Sequence, residues 1–327
     1  MALSLVTAAR ADMVFSGYSQ ARFNVFDSAL DKPDGFDLAK ARLKYAGAIN
    51  DRGTTAAVQI DLAKLDDREN AGDPRNRRVT LKDAWVQHPL GPEWAARMGF
   101  AIIPFGFEEE YSRAKALTFE RTKAITSFFP GERDTGLYAF YTPPSNKSPQ
   151  VAVGYSNGMN QWGDEDPKTG DQDREARAWT ARAQWRLPRD GVAGVSYTTA
   201  QRERMVGEVT RDFDQNCLGV HVRYNGEQGL NLQSEYYTGK ILGVDSKGWY
   251  GQVEYTPNPR GLKPYYRYDV FDDGMAGHQT YRRHTLGAAL DAAKNERFTL
   301  QAERYDDLKG GTFTNYGLQY QFQYGGK

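Results

Sequence analysis

The chain has 327 residues, and its 42 Lys and Arg balance its 42 Asp and Glu, so the formal net charge is zero. A nucleic-acid-binding protein is normally basic, so this balance argues against a nucleic-acid partner. No stretch reaches the roughly 18 consecutive apolar residues that a transmembrane helix requires. Aromatic residues make up 13% of the chain, which excludes a disordered composition. The single cysteine, Cys217, excludes an intrachain disulfide.

The first residues have features of a secretion signal. A short apolar run is followed by Ala9-Arg10-Ala11, which has the small-x-small form of a signal-peptidase site. No basic residue precedes the apolar run, so the segment predicts a truncated signal peptide at 1–11; the alternative is a frayed N-terminal tail. Residues 12–327 show no linker and no shift in composition, which predicts a single domain.

From residue 13 onward the dominant period is two. In the first predicted strand Phe15, Phe23 and Val25 share one face, while Gln20 and Arg22 share the other. This alternation is typical of a strand with one apolar and one polar face. The pattern predicts about 16 strands of roughly ten residues, the length that crosses a bilayer at a tilt. In chain order they lie at 13–26, 36–50, 54–65, 79–88, 94–103, 134–142, 151–157, 176–187, 191–200, 216–225, 230–240, 247–257, 263–271, 281–291, 298–305 and 313–324.

The connections alternate between long and short along most of the chain. Those at 66–78, 158–175 and 201–215 are long, whereas those at 51–53 and 188–190 are short. Transmembrane β-barrels show this alternation, with long external loops and short periplasmic turns. A barrel of about eight strands fills its interior with side chains, but 16 strands leave a wide lumen, so the polar faces line water and the apolar faces meet lipid. The sequence therefore predicts an all-β, antiparallel transmembrane barrel in the bacterial outer membrane; the alternative is a soluble glycan-binding β-protein.

Charged residues on the polar strand faces are the predicted pore lining. Basic residues dominate the first two strands, and rows of Arg or Lys in a pore favour anions. The alternative is that these side chains are solvated filler paired with nearby acids. The predicted pore-lining residues are Arg22, Lys40, Arg42, Lys44, Asp61, Arg182, Arg186, Arg223, Glu235, Glu254, Arg267 and Glu303.

The connection after the fifth strand, 107–133, is too long for a turn and is rich in charge. Loops of this length are usually functional. We predict that it folds into the lumen and narrows it; the alternative is a surface loop over the barrel mouth. The charged residues predicted to line the constriction are Glu108, Glu109, Glu110, Arg113, Lys115, Glu120, Arg121, Lys123 and Arg133.

No motif indicates an enzyme, a metal site or a cofactor. The four histidines form no metal-binding motif, and no local motif supports a Ser-His-Asn hydrolase. Six carboxylates lie within 164–175, but their spacing does not fit a calcium-binding EF-hand. They predict a solvated acidic loop.

Five segments, in order along the chain, resemble one family. Gly99-Phe100-Ala101-Ile102-Ile103-Pro104-Phe105-Gly106 is similar to the signature of the phosphate-selective porin O and P family. The other matching segments are Leu81–Val86, Leu117–Arg121, Phe129–Gly136 and Asn157-Gly158. The resemblance implies a 16-stranded outer-membrane barrel, usually trimeric, with a constriction loop inside and with phosphate-like anions as solutes.

The predicted function is passive diffusion of small hydrophilic solutes through a water-filled channel, with a mild anion preference and no cofactor. The alternative is a structural sheath in a larger outer-membrane complex, an electron conduit or export machine, whose lumen holds a partner. Small outward residues on the second and third strands, Ala39, Ala41, Ala56 and Val58, favour close protein–protein approach and so a subunit interface. With the family resemblance, they predict a homotrimer.

Overall fold

The computed structural model describes residues 12–30, 32–63, 79–129, 133–158, 177–206, 209–257 and 261–325. For 201–206 and 209–212 it describes the backbone alone. The predicted signal peptide at 1–11, the loop at 66–78 and the acidic loop at 164–175 lie outside the described residues.

Sixteen strands form the structure. They are β1 (Met13–Val25), β2 (Gly35–Ala48), β3 (Thr55–Asp61), β4 (Thr80–Pro89), β5 (Trp94–Ile102), β6 (Arg133–Tyr141), β7 (Gln150–Ser156), β8 (Arg177–Leu187), β9 (Gly191–Val206), β10 (Val209–Asn225), β11 (Leu230–Ile241), β12 (Val244–Tyr255), β13 (Leu262–Asp272), β14 (Tyr281–Ala293), β15 (Glu296–Asp306) and β16 (Thr312–Gly325). One α-helix, α1 (Lys123–Phe128), lies between β5 and β6, and a short 3-10 helix occupies Glu227–Gly229.

Every strand pairs antiparallel with its neighbours in the chain, and β1 pairs with β16 to close the barrel. The predicted fold, a closed 16-stranded antiparallel barrel, is confirmed. Ser16 lies opposite Gly325, so the first and last strands begin and end at the same rim. The long connections lie at the other rim, which is therefore the external one.

One predicted loop is wrong. The segment 201–215 was expected to be an external loop, but β9 and β10 continue through it as a hairpin with Ala200 opposite Gln215 and Val206 opposite Val209. Pairing of β9 with β8 ends at Gln201, so within the described residues this hairpin extends beyond its neighbours. Residues 201–204 and 211–215 are almost all polar, so the alternation of apolar and polar residues that marks a strand fades there.

The barrel exterior carries a belt of exposed apolar side chains. Met98 is 72% exposed, Leu286 and Leu300 are each 63% exposed, and their strand neighbours point inward. On a closed barrel this face must meet lipid, because apolar surface of this extent in water is strongly unfavourable. The soluble alternative is therefore wrong, and the barrel spans a membrane.

Among the described residues, no helix is both long and apolar enough to cross a membrane.

The hydrophobic core lies inside the barrel. Phe105, Ile125, Phe128 and Phe129 of the segment between β5 and β6 are each about 1% exposed or less. They pack on wall residues of β8 to β14, namely Ala178, Ala200, Cys217, Tyr237, Tyr250, Phe271 and Tyr281. Part of the lumen is thus filled by the chain itself.

Candidate functional site: the channel constriction

The segment that follows β5, whose described part is 103–129, folds into the lumen; we call it the constriction loop. Pro104-Phe105-Gly106 turns the chain inward from the end of β5. Gly106 has φ of +59°, and a Cβ there would lie 2.5 Å from Glu235 Oε2. Both the backbone angle and the close approach therefore require glycine. The prediction that this loop enters the lumen is confirmed.

Aromatic packing fixes the loop against one side of the wall. The rings of Phe105 and Phe129 are 4.5 Å apart, and Phe128 meets Phe271 edge to face at 6.3 Å. Phe105 also covers Gly219 of β10, where a Cβ would lie 2.7 Å from the ring. The wall is thus shaped to receive the loop.

A buried carboxylate of β11 holds the start of the loop. Glu235 is 2% exposed and accepts the backbone N–H groups of Phe107 at 3.0 Å and Glu108 at 2.5 Å. It also accepts the Tyr250 hydroxyl at 2.9 Å. Three donors stabilise a buried oxygen pair that would otherwise be costly to desolvate.

Two arginines of β13 and β14 hold the middle of the loop. Arg267, 1% exposed, forms an ion pair with Glu108 at 3.0 Å and donates to the backbone oxygen of Glu120 at 2.6 Å. Arg283 pairs with Asp269 at 2.9 Å and donates to the backbone oxygen of Arg121 at 2.7 Å. Both guanidinium groups therefore tether loop to wall.

The loop tip reaches β1. Arg22 forms an ion pair with Glu120 at 2.5 Å, donates to the backbone oxygen of Phe119 at 2.9 Å and stacks 4.8 Å from its ring. Partial loss of hydration inside the barrel would by itself raise the pKa of Glu120, but the charges of Arg22, Arg113 and Lys40 outweigh it and lower the pKa to about 2. Glu120 thus stays ionised.

On the other flank, Arg182 of β8 pairs with Glu110 at 2.5 Å and donates to the backbone oxygen of Gly106 at 3.2 Å. Arg223 of β10 lies 5.1 Å from the ring centres of both Phe107 and Tyr111. Such cation–π contacts fix a guanidinium in place. Arg182 and Arg223 therefore also hold the loop.

The predicted pore-lining residues all point into the barrel. Some contact the constriction loop, and the others contact only the barrel wall or a short turn, or have no partner among the described residues. Arg22, Arg182, Arg223, Glu235 and Arg267 contact the loop as described above. Glu303 accepts hydrogen bonds from Gln301 at 2.9 Å and Arg283 at 3.5 Å, and Glu254 accepts one from Gln252 at 2.5 Å. Arg186 is exposed and contacts Asn146 at 3.2 Å.

The predicted loop residues also differ in exposure. Glu108, Glu109, Arg113 and Arg121 are buried, whereas Glu110, Lys115 and Glu120 are exposed and Lys123 is half-buried. Arg133 is not a loop residue: it is the first residue of β6, where it pairs with Asp83 at 3.0 Å. Its predicted place in the loop is wrong because β6 begins one residue earlier than the alternation indicates.

Within the described residues, no hydrogen bond or ion pair joins the constriction loop to β2, β3 or β4. Arg42 on this part of the wall is buried and pairs with Asp61 at 2.9 Å. Lys40 and Lys44 are half-buried, and neither forms a hydrogen bond or an ion pair with the described part of the chain. We call the inward faces of β2 to β4 the basic wall.

Several inward cations were missed from the sequence, among them Arg283 of β14, Lys82 of β4 and Arg97 of β5. Lys82 of β4 is the extra residue of a β-bulge opposite Gln59 and Ile60, and it too has no ion-pair partner among the described residues. A bulge interrupts the alternation of side chains along the strand, so the sequence pattern could not show that Lys82 points inward. Arg97 of β5 lies between the rings of Trp85 and Phe140, at 4.3 and 4.7 Å. Arg97 directly precedes the outward Met98, so the regular alternation of β5 would have predicted its inward position.

Two of the segments that carry the family resemblance, Phe129–Gly136 and Asn157-Gly158, contact each other where the chain enters β6. Asp134 of β6 accepts the backbone N–H of Gly158 at 2.8 Å, and Tyr138 donates to the backbone oxygen of Asp134 at 2.9 Å. These contacts fix the end of β7 to the start of β6. Their role is structural.

No group of three or more His, Cys, Asp or Glu side chains in the described ranges is arranged to hold a metal ion.

The sequence matches no protein-family model and no curated protein. Solved structures do match. An anion-selective porin from Comamonas acidovorans aligns with a TM-score of 0.70 at 14% identity, covering 96% of this chain and 100% of that one. OmpT, an outer membrane protein of Vibrio cholerae, aligns at 0.67 with 12% identity over 96% and 99% of the two chains. The outer membrane channel DcaP of Acinetobacter baumannii aligns at 0.66 with 11% identity over 98% and 99%.

These likenesses show the fold. The chain has the fold of bacterial outer-membrane porins over nearly its whole length, as predicted. The lipid-facing belt of a barrel with this fold places it in the bacterial outer membrane, as predicted.

Proposed function

We propose that this protein is an outer-membrane porin through which small hydrophilic solutes diffuse passively, with a mild preference for anions. One observation carries the proposal. Most of the arginines beneath the loop are ion-paired with it or with the wall, whereas Lys40, Lys44 and Lys82 of the basic wall have no partner among the described residues. Unpaired cations beside a narrowed passage attract anions and repel cations.

The lysines act as a group because of their spacing. Lys40 and Lys44 are four residues apart on β2, which is about 13 Å, and β4 lies about 10 Å away across β3. The midpoint between neighbouring lysines lies within about 7 Å of each, inside the Debye length of about 8 Å at physiological salt, so their potentials overlap in the space between them. The exposed carboxylates Glu110 and Glu120 lie on the loop, and each is already paired with an arginine.

Selectivity in a planar bilayer tests the proposal. The triple variant Lys40→Gln/Lys44→Gln/Lys82→Gln should shift the zero-current potential under a KCl gradient toward cation preference, and the shift should shrink at high salt. Arg42 is left in place because its replacement by Glu or Gln would leave the buried Asp61 carboxylate without its ion-pair partner. The matched control, Arg52→Gln/Lys147→Gln/Arg189→Gln, removes three exposed charges in the short turns and should keep the wild-type potential.

An unchanged potential in the folded lysine variant would show that these residues do not border the conducting path. The sheath alternative has a separate test. A wild-type barrel that folds and inserts but gives no conductance by itself would contradict the porin and favour a lumen that a partner fills.

Phosphate-like anions are the solutes that the family resemblance implies, and we include them in the proposal as the finer class. Addition of phosphate to a KCl bath should reduce the chloride current of the wild type more than that of the lysine variant. Equal reduction in both would contradict a phosphate preference at the basic wall without affecting the porin proposal.

A further inference from the structure

On the outer surface of the barrel, two arginines and a histidine lie together near the external rim. Arg282 and His284 of β14 and Arg304 of β15 are exposed, and the intervening Arg283 is buried in the lumen. These three residues form what we call the rim patch. They lie near the external ends of their strands, since β14 begins at Tyr281 and β15 ends at Asp306. The next outward residue of β14 is Leu286, which belongs to the apolar belt.

Strand register places the three side chains together. His284 lies directly opposite Arg304, and Arg282 is two residues from His284 on the same face. Arg282 and Arg304 are therefore diagonal neighbours, which lie about 7–8 Å apart in an antiparallel sheet. The two guanidinium groups therefore flank the imidazole.

Tyrosines orient the imidazole between the arginines. The Nδ1 atom of His284 hydrogen-bonds the Tyr266 hydroxyl at 2.7 Å, and its ring lies 4.6 Å from that of Tyr268. This leaves Nε2 for a ligand. Interfacial aromatic residues of this kind mark the level of the lipid headgroups in transmembrane barrels.

The nearby acids neutralise the patch only in part, because one carboxylate, Asp306, faces two guanidinium groups. Asp306, opposite Arg282, accepts the Thr312 hydroxyl at 2.7 Å, and Asp272 pairs with Lys247 at 3.9 Å. Within the described ranges neither Arg282 nor Arg304 forms a hydrogen bond or an ion pair. Two unpaired guanidinium groups thus adjoin a lipid-facing surface.

We propose that the rim patch binds the phosphate groups of a lipid in the outer leaflet. The planar fork of arginine matches phosphate oxygens in two parallel hydrogen bonds. Basic residues at the level of the headgroups bind anionic lipids, while the adjoining apolar belt receives the acyl chains. A lipid satisfies both surfaces at once, whereas free phosphate satisfies only the arginines.

Native mass spectrometry of the whole protein in non-ionic detergent tests this proposal. The probes are a bisphosphorylated glycolipid, the same glycolipid after phosphatase treatment, and inorganic phosphate. The wild type should bind the bisphosphorylated form, and Arg282→Gln/Arg304→Gln should bind it about 30-fold more weakly. Arg52→Gln/Arg189→Gln, which removes two exposed cations at the opposite rim, should bind it like the wild type.

A second variant separates charge from geometry. Arg282→Lys/Arg304→Lys keeps both charges but loses the planar fork, so its affinity should lie between those of the wild type and the glutamine variant. Equal binding of the phosphatase-treated lipid, or unchanged binding by the glutamine variant, would overturn the proposal. Inorganic phosphate binding as tightly as the glycolipid would assign the patch to free anions instead.

Discussion

Two inward cations, Arg267 and Lys40, have opposite surroundings although the sequence presents them alike. Arg267 is 1% exposed and pairs with Glu108, while Lys40 is half-buried and has no ion pair with any described residue. A buried pair contributes mainly by fixing geometry, because desolvation offsets much of its attraction. An unpaired charge beside water keeps its field. In the proposed function, the arginine therefore shapes the passage and the lysine contributes to its potential.

The lipid-facing register is tested at Leu318. This residue of β16 is 46% exposed and lies between Leu300 of β15 and Phe23 of β1. Leu318→Arg should destabilise the folded barrel by about 2–4 kcal/mol if the residue lies at the bilayer midplane. Urea unfolding in lipid vesicles measures the free energy. The control Gln323→Arg, on the inward face of the same strand, should change it little; equal losses would refute the register.

Glu109 makes the docking of the loop depend on pH. Burial raises the pKa of this carboxyl to about 7, outweighing the opposing charges of Arg121 and Arg133, while Glu108 and Glu110 raise it further. The ordinary value is 4.5, so loop docking should weaken as pH rises from about 4.5 to about 7 and then stay constant. Open-channel current noise should increase over that range.

Glu109→Gln should remove this pH dependence, because the amide cannot ionise. Glu110→Gln, at the exposed neighbour, should retain it. Noise that varies with pH equally in the wild type and in Glu109→Gln would assign the titration to another group.

The constriction loop is the element that depends most on distant parts of the chain. Arginines of β1, β8, β13 and β14 tether it, and its aromatic side chains form the core with β8 to β14. An isolated segment of this length would have little structure, since its only helix, α1, has six residues. Tertiary contacts therefore determine its conformation.

Removal of one tether should loosen the loop. Arg267→Met leaves the buried Glu108 carboxylate without its cationic partner and the Glu120 backbone oxygen without its donor. Breaking a buried ion pair in this way typically costs about 3–5 kcal/mol. We expect faster protease cleavage within 108–129 and more frequent closures in single-channel records. Arg186→Met, an exposed arginine with one contact at 3.2 Å, is the control and should behave like the wild type. Equal cleavage rates would show that aromatic packing alone holds the loop.

At the scale of the whole molecule, we expect a homotrimer that associates through β2 and β3. Ala41 and Ala56 face outward there, and Ala56 lies between Gly47 and Val86. Small side chains let two barrels approach closely. Ala41→Trp should therefore shift the mass in mild detergent from trimer to monomer, as measured by light scattering.

The matched control is Ala302→Trp, at an outward alanine of β15 beside Leu286 and Tyr316. It should leave the trimer intact. A wild type that is already monomeric would contradict the oligomer, and dissociation by Ala302→Trp alone would move the interface to β15.

The sequence by itself determined the barrel, because the side-chain period of a strand is a local property. Residues such as Arg22 and Phe23 must point to opposite faces wherever the strand lies, so the strand number, part of the inward set and the apolar belt could be read from the chain. The family-like segment at Gly99–Gly106 also marked where the constriction loop begins.

Only the tertiary structure decided which inward charges are paired within the described residues and which are not. Whether Arg267 is sealed under the loop or Lys82 faces the passage depends on the path of residues 103–129 and on a bulge in β4. Both features arise from contacts between residues far apart in the chain. The alternation of side chains along a strand determines whether a charge points into the lumen or toward lipid. Contacts with distant residues determine whether that charge is paired.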